Sequence, residues 1–90
     1  MEFKNISLTV EEGVARITFN RPPLNILNIE MMGEINRALD SLKEKKPKVL
    51  VIAAQGKAFS AGVDVAEHTK EKVEEMISVF HRMFRLLHDL

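Results

Sequence analysis

Val49-Leu50-Val51-Ile52-Ala53-Ala54 is an unbroken apolar run of strand length, and its reading decides the fold. Its shortness and its β-branched residues make it a strand buried on both faces, the pattern of a parallel sheet. A parallel strand needs a crossover before it, and the preceding residues supply one. Ile29, Met32, Ile35, Leu39 and Leu42 fall at helical spacing, with Met31 and Ala38 widening the stripe. Asn28 is placed as the N-cap, with Glu30 in the first turn. Lys43, Lys45 and Lys46 suit the dipole at the far end, and Pro47 stops the helix. The spacing predicts a helix over about 29–45 and a strand over about 48–54.

Upstream, the period changes to two. Phe3, Ile6, Leu8 and Val10 alternate with Asn5, Ser7 and Thr9, and Val14-Ala15-Arg16-Ile17-Thr18-Phe19 alternates again. Glu11-Glu12-Gly13 lies between them, so residues 3–19 read as an antiparallel hairpin. Asn20-Arg21-Pro22-Pro23 ends its second strand, because proline donates nothing to a ladder. Strand, helix and buried strand then form a βαβ unit, for which a right-handed crossover is the rule.

Downstream, Gln55 to Asp64 form a loop of small residues. A last helix is predicted over about 70–89, with Thr69 as N-cap and Glu71 in its first turn. Val73, Met76, Ile77, Phe80, Met83, Phe84, Leu87 and Leu90 form its apolar stripe. This stripe reaches the last residue without a stop signal, which reads as a truncated fold. The expected class is α/β, in the order strand-strand-helix-strand-helix within one partial domain.

Ninety residues bury only ~60–65% of the surface that the unfolded chain exposes, a marginal core. A hydrophobic fraction of 46% and a charged fraction of 29% are those of a globular protein. Thirteen basic and thirteen acidic residues cancel, leaving no electrostatic case for nucleic acid or an anionic membrane as partner. With no cysteine there is no disulfide framework, thiolate metal site or cysteine nucleophile. No signal-peptide core follows the polar start, and no run approaches membrane-spanning length. The expectation is a soluble, cytoplasmic protein.

Open α/β sheets bind ligands beyond the carboxyl ends of their strands, where residues 55–64 lie. Gly56, Ala58, Ser60, Ala61 and Gly62 let a ligand approach the backbone, leaving peptide N–H groups as donors. A thioester carbonyl gaining negative charge needs such donors. On these grounds alone the loop is either a plain turn or an active site.

Gly56-Lys57-Ala58-Phe59-Ser60-Ala61-Gly62-Val63-Asp64-Val65 resembles the first oxyanion motif of the crotonase (enoyl-CoA hydratase/isomerase) superfamily, G-[KR]-A-F-[SC]-A-G-x-D. Asn20-Arg21-Pro22-Pro23-Leu24-Asn25 is similar to that family's upstream N-R-P-x-x-N-A-L region, one residue shorter. The resemblance spans essentially the whole chain and implies the amino-terminal part of a crotonase α/β spiral. It implies that the Val63 backbone N–H donates to the thioester oxygen and that Gly62 lies beside it. Ala58, Ser60 and Ala61 would line coenzyme A through their backbones, Leu24 would line the other side of the groove, and Asp64 would hold the loop. Coenzyme A enters as part of an acyl-CoA substrate, with no covalently bound cofactor, and full-length members are homo-oligomers. Residues 21–28 and 61–68 are further similar to the cyclohexa-1,5-dienecarbonyl-CoA hydratase branch, whose enzymes hydrate a cyclic dienoyl thioester in aromatic degradation.

The family's second oxyanion donor and its acid–base carboxylates belong to later motifs that this sequence does not contain. Losing one donor costs ~10²–10³ in rate and losing the base ~10²–10⁴, so the chain alone is expected to be inactive. A fragment of an acyl-CoA hydratase is one reading; a noncatalytic module binding CoA or a protein through apolar helix faces is the other. In either, exposed strand edge and helix surface favour self-association.

Other residues read more simply. His81 and His88 are seven apart, too far for an i,i+4 metal pair, and are taken as surface histidines. His68 either touches the groove or, with Glu67, marks an exposed helix end. Ser60 sits in no nucleophile elbow. Lys57 meets a coenzyme A phosphate or only solvent.

Overall fold

A computed structural model describes residues 3–56, 59, 60, 62 and 71–89. The elements run β1 (Ile6–Glu11), β2 (Val14–Phe19), α1 (Ile29–Lys45), β3 (Val49–Ala54) and α2 (Val73–Asp89). The sheet order is β1-β2-β3, antiparallel between β1 and β2 and parallel between β2 and β3. The expected strand-strand-helix-strand-helix order is therefore the one found. Thr69, the expected N-cap of α2, lies outside the described residues.

Glu11 pairs with Val14 across a two-residue turn in which Glu12 and Gly13 have φ of 51° and 82°. Positive φ at both positions is the type I′ pattern, whose twist matches that of the strands. The Gly13 carbonyl then accepts from Lys48 N at 2.7 Å and Val49 N at 3.2 Å, so the hairpin turn sets the start of β3.

α1 is capped as its sequence suggests. Asn28 Oδ1 accepts from Met31 N at 2.8 Å. At the other end Lys46 adopts the left-handed conformation and donates its N–H to Leu42 O, so the helix closes one residue before Pro47. The core lies between α1 and one sheet face. Register places Leu8, Ile17 and Ile52 in one cross-strand row and Ile6, Phe19 and Ala54 in another. Met31, Ile35, Ala38 and Leu39 of α1 cover them, joined by Met83 and Leu86 of α2.

Two expectations change. β3 is half-buried rather than buried on both faces, and Val49 is 50% exposed, because β3 is the edge strand of this sheet. On α2 only Met76, Met83 and Leu86 are buried, while Ile77, Phe80 and Phe84 are exposed. Leu86 was absent from the predicted stripe. α2 packs chiefly on α1, and one helix covers a narrower strip than a sheet does. No helix among the described residues is long and apolar enough to cross a membrane.

A buried carboxylate fastens the start of the chain. Glu34, 3% exposed, accepts through Oε1 from Lys4 N at 3.0 Å and Asn5 N at 2.8 Å, and through Oε2 from Asn5 Nδ2 at 3.1 Å. Asn5 O in turn accepts from Asn20 N at 2.8 Å, tying the segment before β1 to the end of β2. Glu34→Ala strands these donors and should lower unfolding stability by about 2–3 kcal/mol in urea titration. Its neighbour offers the opposite sign. A Cβ at Gly33 would meet nothing within 4 Å, so Gly33→Ala should raise stability by about 1 kcal/mol in the same assay.

Candidate active site

Parallel pairing carries β2 and β3 to the same edge of the sheet, where Phe19 lies beside Ala54. The ladder continues one step further, with Gln55 N donating to Phe19 O at 2.8 Å. Residues 20–28, which leave this edge after β2, are then clasped to Gln55 and Ser60 by Asn25. Its side chain is fully buried and its φ is 50°, a left-handed conformation that asparagine tolerates better than most residues. Oδ1 accepts from Arg21 N at 2.8 Å, and Nδ2 donates to Gln55 O at 2.8 Å. The Asn25 backbone also returns a bond to Arg21 O at 2.9 Å, closing its own loop. Arg21 Nη1 donates to Ile26 O at 2.8 Å and braces the loop from the other side.

The second loop is held by complementary bonds. Ser60 Oγ donates to Asn25 O at 2.9 Å and accepts from Gly62 N at 3.1 Å. Gly62, with φ of 111°, places its carbonyl to accept from Leu27 N at 2.7 Å. A side chain there would hold the backbone in a strained conformation. Phe59 lays its ring against Phe19 with centroids 5.1 Å apart and the planes tilted 42°.

Of the expected site residues, Ser60 and Gly62 are brought into this cluster, while Leu24 is exposed in the neighbouring loop. Val63, Ala58, Ala61 and Asp64 lie outside the described residues, as do Lys57, Glu67 and His68. His81 and His88 sit on the exposed surface of α2. Among the described residues no three His, Cys, Asp or Glu side chains are grouped to hold a metal. Residue reading missed the Asn25 clasp. Its signal was an asparagine in a tight turn after two prolines, a place where the short amide bonds to nearby backbone.

Beside the clasp opens an apolar cleft of about 490 Å³. Phe19, Leu27, Ile52, Phe59, Phe80 and Phe84 wall it, and Ser60 and Gly62 border it. Its combination of strand-end loop and apolar cleft is that of a small-molecule site on an open α/β sheet.

Residues 9–90 match the family model described as enoyl-CoA hydratase/isomerase. The chain belongs to the enoyl-CoA hydratase/isomerase family. It is 44% identical to the trans-2-decenoyl-[acyl-carrier-protein] isomerase of Streptococcus mutans, over 74% of this chain and 26% of that protein. It is 34% identical to the short-chain-enoyl-CoA hydratase of Clostridium acetobutylicum, over 97% of this chain and 33% of that protein. The fold superposes on Pseudomonas aeruginosa DspI with a TM-score of 0.88 at 27% identity, covering 98% of this chain and 38% of that one. It also superposes on an enoyl-CoA hydratase from Mycobacterium smegmatis with a TM-score of 0.82 at 30% identity, covering 93% and 35% respectively. The chain thus spans about a quarter to a third of the length of these two curated relatives.

In this member of the enoyl-CoA hydratase/isomerase family, the clasp ties Gln55 and Ser60 to the turn at Arg21–Asn25. Asn25→Gly keeps the backbone free to adopt positive φ but deletes the side-chain bonds to Arg21 N and Gln55 O. It should cost about 2–3 kcal/mol and reduce hydrogen-exchange protection at Leu27 N–H, whose acceptor is Gly62 O. Asn25→Ala should cost about 1 kcal/mol more, through its left-handed backbone.

Proposed function

We propose that this chain forms the amino-terminal half-site of an enzyme that adds water to an unsaturated acyl-CoA thioester. The observation that carries this reading is the Asn25 clasp, which joins Gln55 and Ser60 to the loop after β2 at the carboxyl edge of two parallel strands. Membership of the enoyl-CoA hydratase/isomerase family supports the thioester chemistry. In the reading, the thioester oxygen accepts from the Val63 backbone N–H, and negative charge on that oxygen strengthens the bond as the enolate develops. The backbones of Ala58, Ser60 and Ala61 run along coenzyme A, Leu24 faces them across the groove, and Asp64 holds the loop. The chain polarises and positions; proton transfer falls to carboxylates outside this sequence. By itself it should therefore show no hydration of crotonyl-CoA above solvent background, and measurable turnover would overturn that part of the reading.

Titration with acetyl-CoA, followed by backbone amide NMR, tests the binding half. Shifts should concentrate at residues 56–66, led by Val63. A folded chain with no response there at saturating thioester overturns the half-site. In this reading the acyl group is a cyclic dienoyl, supported by the resemblance of residues 21–28 and 61–68 to the cyclohexa-1,5-dienecarbonyl-CoA hydratase branch, and the setting is a reducing cytoplasm, which a chain without cysteine fits.

Exposed apolar side chains favour a second activity class, protein association. Val14 and Val49 pair on the outer sheet face, and Ile77 and Phe84 stand out from α2. An edge strand with free backbone groups adds to this surface. Sedimentation equilibrium should give a mass above the 10.2 kDa monomer at high micromolar concentration; a monomer throughout would remove the association reading.

A further inference from the structure

We propose that α2 docks against α2 of a second copy of this chain, antiparallel about a twofold axis at His81. The inference rests on the association reading above and names its partner, surface and orientation. Three features of α2 carry it.

The first is an exposed seam. Ile77, His81, Phe84 and His88 recur at spacings of four, three and four, the period of a helix that packs along another helix. None of them serves the core. Met76, Met83 and Leu86 take the buried positions, while Ile77 is 57% exposed, Phe84 is 54% exposed and both histidines are exposed. α2 thus carries two stripes suited to helix packing, and α1 covers one of them.

The second is charge. Glu74 and Glu75 lie in the first turn, whereas His81, Arg82, Arg85 and His88 fill the second half, opposed there by Asp89 alone. Arg82 lies 3.9 Å from Asp40 of α1, but among the described residues neither Glu74 nor Arg85 has an ion-pair partner. A parallel copy would set acid against acid and base against base. An antiparallel copy sets each acidic turn beside a basic one.

The third is symmetry. Glu74 lies seven residues before His81 and His88 seven after, and Ile77 lies four before and Arg85 four after. A twofold at His81 therefore brings Glu74 to the partner's His88 and the partner's Arg85, and Ile77 to the partner's Phe84. Such a self-complementary contact closes as a dimer. One face of a 17-residue helix is a small interface, in keeping with a dimer that forms only at high micromolar concentration.

Two measurements test the contact. In sedimentation equilibrium, Glu74→Arg and Arg85→Glu should each weaken the dimer about fivefold, because each change acts twice across the twofold. The double variant Glu74→Arg/Arg85→Glu should return to within about twofold of the parent, its charges being exchanged but still complementary. It also sets the least favourable charges against the helix dipole, so a loss caused by a weakened helix would deepen in it rather than recover. The second measurement uses the absence of native cysteine, which lets one introduced thiol report on its own symmetry mate. His81→Cys should give a disulfide-linked dimer on mild oxidation. Glu74→Cys, displaced from its mate by ~21 Å along an antiparallel pair, should not. Equal linking at both positions overturns the proposed orientation. A dimer unaltered by the charge variants overturns the α2 contact and leaves the association reading standing; its loss in Val49→Lys would then place the contact at β3. A monomer at every concentration overturns the association reading, and this inference with it.

Discussion

The buried amide of Asn25 is the interaction on which the site depends. Parallel pairing of β2 and β3 brings two chain segments out at one sheet edge, but pairing alone leaves their loops free to diverge. Asn25 removes that freedom. One side-chain atom closes its own loop at Arg21 N, and the other reaches Gln55 O on the second loop. In a water-excluded position each such bond is electrostatically stronger than at the surface, and each unsatisfied partner is costly. Ser60 and Gly62 are positioned as consequences, through Asn25 O and Leu27 N. Small residues pack little among themselves, so the described part of the loop is held by these polar bonds.

A similar device operates where the segment before β1 meets α1. Glu34 gathers the backbone of Lys4 and Asn5, and Asn5 holds Asn20. Buried polar groups that are fully satisfied thus pin both ends of the hairpin's connections, while Ile17, Met31 and Leu39 supply the apolar burial between them. α2 is attached differently. Its contact with α1 is a narrow strip, supplemented by Asn36 Nδ2 donating to Val79 O at 3.0 Å. Its aromatic side chains are consequently spared from the core and available to the cleft.

Much of the fold was legible because the signals are local. Alternation in residues 6–10 and 14–19, the period of Ile29 to Leu42 and the cap at Asn28 each depend on neighbours within a few residues. The loop at 55–64 was legible as a candidate site from its small residues and from the motif they resemble. The partners of that loop were not. Asn25 to Gln55 spans thirty residues, Ser60 to Asn25 thirty-five, and neither pairing leaves a periodic trace in the chain. The burial of β3 was misjudged for a related reason. Apolar composition says that a strand can be covered, whereas its place in the sheet decides whether it is.

By itself, then, the sequence determined the order and type of the elements and the parallel βαβ unit, and marked a candidate loop. Periodicity, capping and turn preferences are properties of short segments, and they survive without knowledge of the whole. Only the tertiary structure decided which stripe of α2 is core, which strand lies at the edge, and that Asn25 joins the two loops. Those outcomes depend on contacts between residues far apart in sequence, chosen by the fit of whole surfaces rather than by any local preference. The division between Leu86 in the core and Phe84 at the cleft is the clearest instance. Two apolar residues on one helix received opposite environments because α1 covers only one strip of it.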